Sequence, residues 1–443
     1  MNPNTTPSMK IDSNFLNGIT PAISADAAKA IAAELDLRNP PAAFYSNPYP
    51  VYAALRECEP VRRMPDGSVL ITRYKDLIQV YKDAHTFSSD KKIEFTPKFG
   101  DAPYLLEHHT TSLIFNDPPL HTQVRQIMMG ALTRRAIDQM ESSLTELVTK
   151  LADKIEAQNG GDLIEDFAAA IPIEVIGNLL NIPHDERGPL RDWSLAILGA
   201  LEPKISDAQA QRGDKAVAEF LEYLKLLVAD RRANPGDPQT DVLTRLILGE
   251  RSDNGERLNE NELLHNCIFI LNAGHETTTN LIGNALVALE EWPAQKELLI
   301  KRITDSQQDK VALDEVLNTA VDEFLRFESS NQLGNRRAMV DCVVGDMSLP
   351  RGTLITLCIG SANRDPAQFE NAEEMDVTRP NCKHLSFAFG IHQCAGLHLA
   401  RLEGRVALLI FLQRFPNYKL TALPTRGGRA RFRGFLNAPF STK

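Results

Sequence analysis

Residues 387–396 read Phe387-Ala388-Phe389-Gly390-Ile391-His392-Gln393-Cys394-Ala395-Gly396, a cysteine between two glycines followed at once by a helical pattern from Leu397 to about Leu412. The spacing predicts Cys394 where a loop ends and a helix begins. A helix N-terminus carries partial positive charge and free N–H groups, which favour a thiolate over a thiol. Gly390 and Gly396 allow a tight turn and the close approach of something flat. A hydrogen-bonded thiolate presented to a flat object is what an axial heme ligand requires. Two plainer readings exist. A lone cysteine is commonly an inert buried side chain, and His392-x-Cys394 could form half of a zinc site. Against zinc, Cys58, Cys267, Cys342, Cys358 and Cys382 form no Cys-x-x-Cys pair.

The stretch resembles the heme-binding loop of the cytochrome P-450 family, Phe-x-x-Gly-x-[His/Arg]-x-Cys-x-Gly. Phe387, Gly390, His392, Cys394 and Gly396 meet every fixed position. The departure is Ala388, which is glycine in many relatives and bears on the local loop geometry rather than on the ligand.

Asn259–Trp292 is a long helical pattern ended by Pro293, on the order of 50 Å if continuous. Its middle reads Ala273-Gly274-His275-Glu276-Thr277-Thr278. Small residues around a glycine are poor helix material, so either something approaches there or the helix opens. Glu276-Thr277 could feed protons to a ligand over Gly274; equally, a helical threonine back-bonds to a carbonyl. The segment matches the family's oxygen-activating helix, Ala-Gly-x-[Asp/Glu]-Thr-[Thr]. The resemblance therefore implies a catalytic relay by Glu276 and Thr277, with Ala273 and Gly274 against the cofactor.

Glu323-Phe324-Leu325-Arg326 puts a carboxylate and a guanidinium on one helical face among apolar neighbours. A buried guanidinium needs further partners. The resemblance supplies a later arginine, Arg379, and implies a structural network beneath Cys394. Asp117-Pro118-Pro119-Leu120-His121-Thr122-Gln123-Val124-Arg125 opens another helix, with His121 and Arg125 facing the same way. The family uses the corresponding pair, joined by Arg336 and His392, to hold the two heme propionates. Ser361-Ala362-Asn363-Arg364-Asp365-Pro366 reads as a loop starting a short helix. The resemblance runs from about Asn47-Pro48-Tyr49 to the last residue.

The 443 residues alone suggest two or three domains, but no stretch reads as a linker or repeat. We read one large domain over 41–443 behind a loosely ordered tail, 1–40. The fold class is mainly α with small β-sheets (α+β): a cytochrome P-450 fold with its long helix over the heme. Strands at Val61–Met64 and Ser68–Thr72 flank Pro65-Asp66-Gly67, and a second strand group spans Ala338 to Ile359. Further helices are predicted at Ala136–Gln158, Leu163–Leu180 and Asp207–Arg232. No apolar run is long enough to span a bilayer and no signal peptide is evident, which fits a cytoplasmic protein. Scattered cysteines fit a reducing compartment. A net charge of −10 argues against a general nucleic-acid binder, so Arg426, Arg429, Arg431 and Arg433 read as a solvated hairpin. His108-His109 lies in a polar stretch and also reads as solvated.

The function so implied is that of a heme b monooxygenase, a monomer inserting one oxygen atom of O2 into a C–H bond of a small to medium organic substrate. Neither an iron–sulfur segment nor a flavin fingerprint is present, so electrons from NAD(P)H must arrive through a separate ferredoxin and reductase. Arg134, Arg135, Lys383, Arg401 and Arg405 form a candidate docking patch. Peroxygenase chemistry usually lacks the acid-alcohol pair. Coupling, desaturation or C–C cleavage stay open, as does a heme sensor. Register with Thr277 and Arg336 places Phe269, Asn272, Asn331, Gln332 and Leu333 at the substrate pocket, closed by Leu436 and Asn437. Amides there imply a substrate with an apolar body and a hydrogen-bonding group.

Overall fold

The computed structural model describes residues 18–238, 241–248 and 258–443. Helix α1 (Ala25–Glu34) begins at Ser24, whose side chain accepts the Ala27 N–H. Its Ala32, with Leu35 and Leu37, packs in one cluster with Tyr52 and Leu55 of α2 (Tyr49–Cys58). Residues 18–40 are therefore held by burial, a correction to the loose tail expected over 1–40; residues 1–17 lie outside the described set.

Strands β1 (Val61–Arg63), β2 (Val69–Ile71), β3 (Phe87–Ser88), β4 (Leu333–Ala338) and β5 (Leu354–Cys358) form a sheet in the order β1-β2-β5-β4-β3. The first hairpin closes at Gly67, whose φ of +83° suits a residue without a Cβ. β2 runs parallel to β5, while β3 pairs antiparallel with β4 and sets Ser88 opposite Arg337.

The helical part includes α3 (Leu120–Ala131), α4 (Ala170–Leu179), α5 (Leu190–Gly199), α6 (Asp207–Ala233), α7 (Glu260–Glu291), α8 (Lys310–Phe327) and α9 (Leu397–Arg414), with further helices between. The helix expected over Ala136–Gln158 breaks at Met140 into Arg134–Gln139 and Glu141–Gln158; the Met140 N–H turns back to Ile137 and tightens the last turn. That expected over Leu163–Leu180 begins as a π-helix, Leu163–Ala168. Pro172 explains this: it has no N–H for the Ala168 carbonyl and its ring crowds that oxygen.

Asn259 and Glu262 cap the start of α7 reciprocally. The helix touches α4, α5, α6, α8 and α9, so it runs through the core and is buried on nearly every side. Its glycines admit neighbours: a Cβ on Gly274 would lie 2.6 Å from Ile176 Cδ1 of α4, and one on Gly283 2.5 Å from Ile164. Gly274 thus serves close helix packing, which corrects the expectation that its bare side faces a ligand. No helix among the described residues is long and apolar enough to cross a membrane.

Candidate active site

The loop before α9 is closed by its own backbone. Cys394 N–H donates to Phe387 O (2.9 Å), Gln393 N–H to Gly390 O (3.0 Å) and Ala388 N–H to Leu385 O (2.8 Å). The two glycines have different jobs. Gly390 has φ +75°, and a Cβ on it would lie 2.3 Å from the Tyr81 carbonyl oxygen, so the turn itself requires it. Gly396 has φ −91°, and a Cβ there would meet nothing within 4 Å. Neither backbone nor neighbouring protein demands that glycine; a flat group lying close to Cys394 would. Ala388 sits at φ +54°, the left-handed region that costs an L-residue roughly 1–2 kcal/mol. Ala388→Gly should raise stability by roughly 0.5–1 kcal/mol after the added freedom of the unfolded glycine is subtracted, read as a higher urea midpoint at unchanged slope. Burial pushes the Cys394 thiol up, while the Gly396 N–H and the charges of Arg125 and Arg401 pull it back. The helix N-terminus alone therefore does not secure a thiolate; binding to a metal would.

Beside this loop the structure brings His121, Arg125, Arg336 and His392 together. The rings of His121 and His392 lie 4.1 Å apart. His121 is 2% exposed, and neither of its ring nitrogens nor His392 Nε2 has a hydrogen-bond partner among the described residues. Burial, then nearby cations, holds His121 down to about 4 and His392 to about 2. The Arg336 guanidinium lies 5.4 Å over the Tyr81 ring, and its Nη1 donates to the carbonyl of Asn335, its own chain neighbour (2.7 Å). Orphaned buried donors are rare in folded proteins. Several converging on one place fit a group carrying two carboxylates, so these residues fit a heme.

On α7, Phe269 and Thr277 are half-buried and Ala273 is exposed, although the helix around them is buried. Positions 269, 273 and 277 share one face, so a stripe in mid-core looks onto open space. Thr277 Oγ1 donates to Ala273 O (2.7 Å). Glu276, 6% exposed, forms an ion pair with Arg429, and its Oε2 has no partner among the described residues. Burial pushes the Glu276 carboxyl up, with Arg429 opposing.

Glu323 and Arg326 on α8 are fully buried and bonded twice, at 2.7 Å each. Arg379 donates to Glu323 Oε2 (3.0 Å), and the Asp376 N–H to Oε1 (2.8 Å). The remaining guanidinium N–H groups reach the carbonyls of Asn363, Glu370, Ala372 and Glu374, which ties down segment 370–376. The expected helix starting at Ser361 is reversed: a short helix, Ile359–Ala362, ends there. Asn363 then accepts the Leu385 N–H (2.7 Å), because the chain must turn back toward the cysteine loop.

Several pocket residues fall elsewhere. Leu333 packs among Tyr52, Leu55 and Leu70, on the face of the sheet turned toward α2. Gln332 is buried and donates to Ser329 O (2.7 Å). Leu436 is 48% exposed. Asn331 is half-buried and bridges the Phe432 backbone. Asn272 is buried and meets His108, Nδ2 to Nε2, at 3.3 Å. Ser112 Oγ gives its hydrogen to the His108 carbonyl (2.5 Å), so His108 Nδ1–H donates to Ser112 Oγ (3.3 Å) and Nε2 accepts from Asn272. His108 and His109 are 2% and 1% exposed, against the solvated reading; His109 packs against the rings of Phe95, Phe99 and Phe115.

The arginine hairpin exists, as β6 (Thr425–Arg426) and β7 (Phe435–Asn437), but it is not solvated. Arg426 and Arg433 turn inward onto Glu328, and Arg429 onto Glu276. Three buried carboxylate contacts absorb what sequence showed only as a basic run. An open cleft of about 1130 Å³ lies between α5, α6 and the hairpin tip, bounded by Trp193, Leu195, Glu202 and Arg429. Neither Cys394 nor Thr277 lines it; Arg429 alone links it to the acid of α7. In the proposed docking patch Arg134, Arg135 and Lys383 are exposed, whereas Arg401 pairs with Asp322 and Arg405 with Asp314, each at 2.8 Å.

The sequence profile of the cytochrome P450 family matches residues 197–425. The chain is 33% identical over 395 residues to the polyketide biosynthesis cytochrome P450 PksS of Bacillus subtilis, covering 86% of this chain and 91% of that one. It is 33% identical over 378 residues to the vitamin D(3) 25-hydroxylase of Pseudonocardia autotrophica, covering 82% and 85%. Among solved structures, P450BioI in complex with a hexadec-9Z-enoic acid ligated acyl carrier protein superposes with a TM-score of 0.81 at 28% identity, covering 90% of this chain and 99% of that one. A cysteine loop shaped to hold a flat group, orphaned donors beside it and this similarity over most of the chain lead to one conclusion: the chain belongs to the cytochrome P450 family, the heme-thiolate monooxygenases.

Proposed function

We propose that this chain binds heme b through Cys394 and inserts one oxygen atom of O2 into a C–H bond of a small to medium organic substrate, drawing electrons from NAD(P)H through a separate ferredoxin and reductase. The observation that carries the reading is Gly396, a glycine with no conformational or packing need of its own, two residues after the thiol. When bound, the heme supplies dioxygen activation, and a thiolate ligand favours O–O cleavage.

The remaining work falls to the polypeptide. His121, Arg125, Arg336 and His392 hold the carboxylates. The Glu323 network fixes the floor beneath the loop. Thr277, its hydrogen engaged by Ala273 O, presents its oxygen as an acceptor toward the exposed stripe. Glu276 keeps one oxygen on Arg429 and the other free to carry a proton. Thr277→Ala should leave substrate affinity within roughly twofold while product formed per NADH drops severalfold, oxygen being diverted to peroxide. Equal yield from the variant would show that the hydroxyl has no part in proton delivery.

The substrate class we favour is an apolar body bearing a hydrogen-bonding group. Names of relatives such as a vitamin D(3) hydroxylase and a polyketide enzyme support molecules of that kind. Oxygen and NADH consumption with a surrogate redox pair, after a binding screen by heme spectral shift, tests turnover. A protein that binds ligands but consumes no oxygen would be a sensor.

A further inference from the structure

Lys91 occupies a position that the polypeptide does not explain. It follows β3, where Ser88 stands opposite Arg337, and the Ser89 N–H bonds Asp117 Oδ1 (2.9 Å) just ahead of α3. This topology inserts Lys91 between the strand bearing Arg336 and the helix bearing His121. The residue is 4% exposed, and its Nζ has no hydrogen-bond partner among the described residues. Its nearest carboxylate oxygen, Glu94 Oε1, is 3.8 Å away and already accepts from Arg337 Nε (3.1 Å) and Nη2 (3.0 Å). Asp117, the other nearby carboxylate, is committed to Ser88 and Ser89. Glu94 is therefore one carboxylate shared by two cations, with its Oε2 hydrogen-bonded by neither, and it leaves the buried ammonium only partly compensated. Burial holds the Lys91 pKa down to about 8; Glu94 opposes the shift, while Arg336, Arg337 and Arg431 add to it. The cations on this side of the site thus outnumber the carboxylates: Lys91 shares Glu94 with Arg337, and Asp117 is held by Ser88 and Ser89.

We propose that Lys91 is a fifth partner of the cofactor's two carboxylates, closing from the β3 side the site formed by His121, Arg125, Arg336 and His392. The inference rests on the heme-thiolate reading and adds to it a residue that no motif marks. The test is the rate at which the holoenzyme surrenders heme to excess apomyoglobin. Lys91→Met and Lys91→Gln should each lose heme about tenfold faster than wild type, the scale of one charge-assisted hydrogen bond. Lys91→Arg should stay within roughly threefold of wild type, because it retains the charge. The reduction potential of both neutral variants should fall, since a nearby cation favours the more electron-rich reduced state. The decisive comparison reconstitutes wild type and variants with heme dimethyl ester, which lacks carboxylate charge; there the difference in heme loss should vanish. Heme loss unchanged by both neutral substitutions, or accelerated equally with the ester, would overturn the proposal and leave Lys91 a packing residue. Failure of the underlying reading is seen separately, in a wild-type reduced carbon monoxide spectrum without the red-shifted band of a thiolate heme.

Discussion

The reduced wild-type protein is expected to show a red-shifted Soret band with carbon monoxide, and Cys394→Ser to abolish it, and with it all product formation. A serine hydroxyl retains the loop geometry, because the Cys394 N–H to Phe387 O bond and the Gly390 turn belong to the backbone. It cannot supply the soft, electron-rich ligand on which the chemistry depends. Far-UV circular dichroism and the urea midpoint of the cofactor-free chain should therefore change little, within about 1 kcal/mol as for an ordinary conservative substitution. The expected result is thus a folded protein with a different spectrum. A wild-type band typical of a histidine-ligated heme, or a serine variant that keeps the red-shifted band, would remove Cys394 from its role.

The second large effect is on stability. Glu323→Gln keeps the volume of the side chain but removes the charge facing Arg326 and Arg379, both almost wholly buried. Removing one partner of a buried ion pair typically costs about 3–5 kcal/mol, a large part of a domain's total stability. The loss should appear as a lower urea midpoint in the cofactor-free chain as well, because the network binds α8 to segment 370–376 and touches no heme-binding side chain. A cost below about 1 kcal/mol would mean that water compensates the guanidinium groups as it does on a surface.

These expectations differ in how they could be reached. The cysteine loop, the span and caps of α7, the Glu323–Arg326 spacing and the His121–Arg125 pair were legible because each is set by neighbours within a few residues, where backbone geometry dictates spacing. Even there, sequence did not assign separate reasons to Gly390 and Gly396. One is required by a carbonyl 2.3 Å from where its Cβ would be, the other by nothing among the described residues.

What only the tertiary structure decided was which polar groups are buried and against what. His108-His109 reads as polar along the chain, yet both rings enter the core because helix Pro103–Thr111 lays them against phenylalanines and α7. The arginine-rich hairpin turns inward because Glu276 and Glu328, about 150 and 100 residues earlier in sequence, wait for it. Leu333 and Asn272 were placed by register, which gives a direction on a strand or helix; the neighbour met in that direction comes from another part of the chain. Lys91 gave no signal at all, since a lysine carries no motif and its meaning lies in a carboxylate that it shares with Arg337. Local spacing thus set out the motifs on which the family resemblance rests, and with them Cys394 as the proposed ligand and α7 as the helix proposed to face it. Burial, a sum over distant partners, determined which charges are left unmatched around the site.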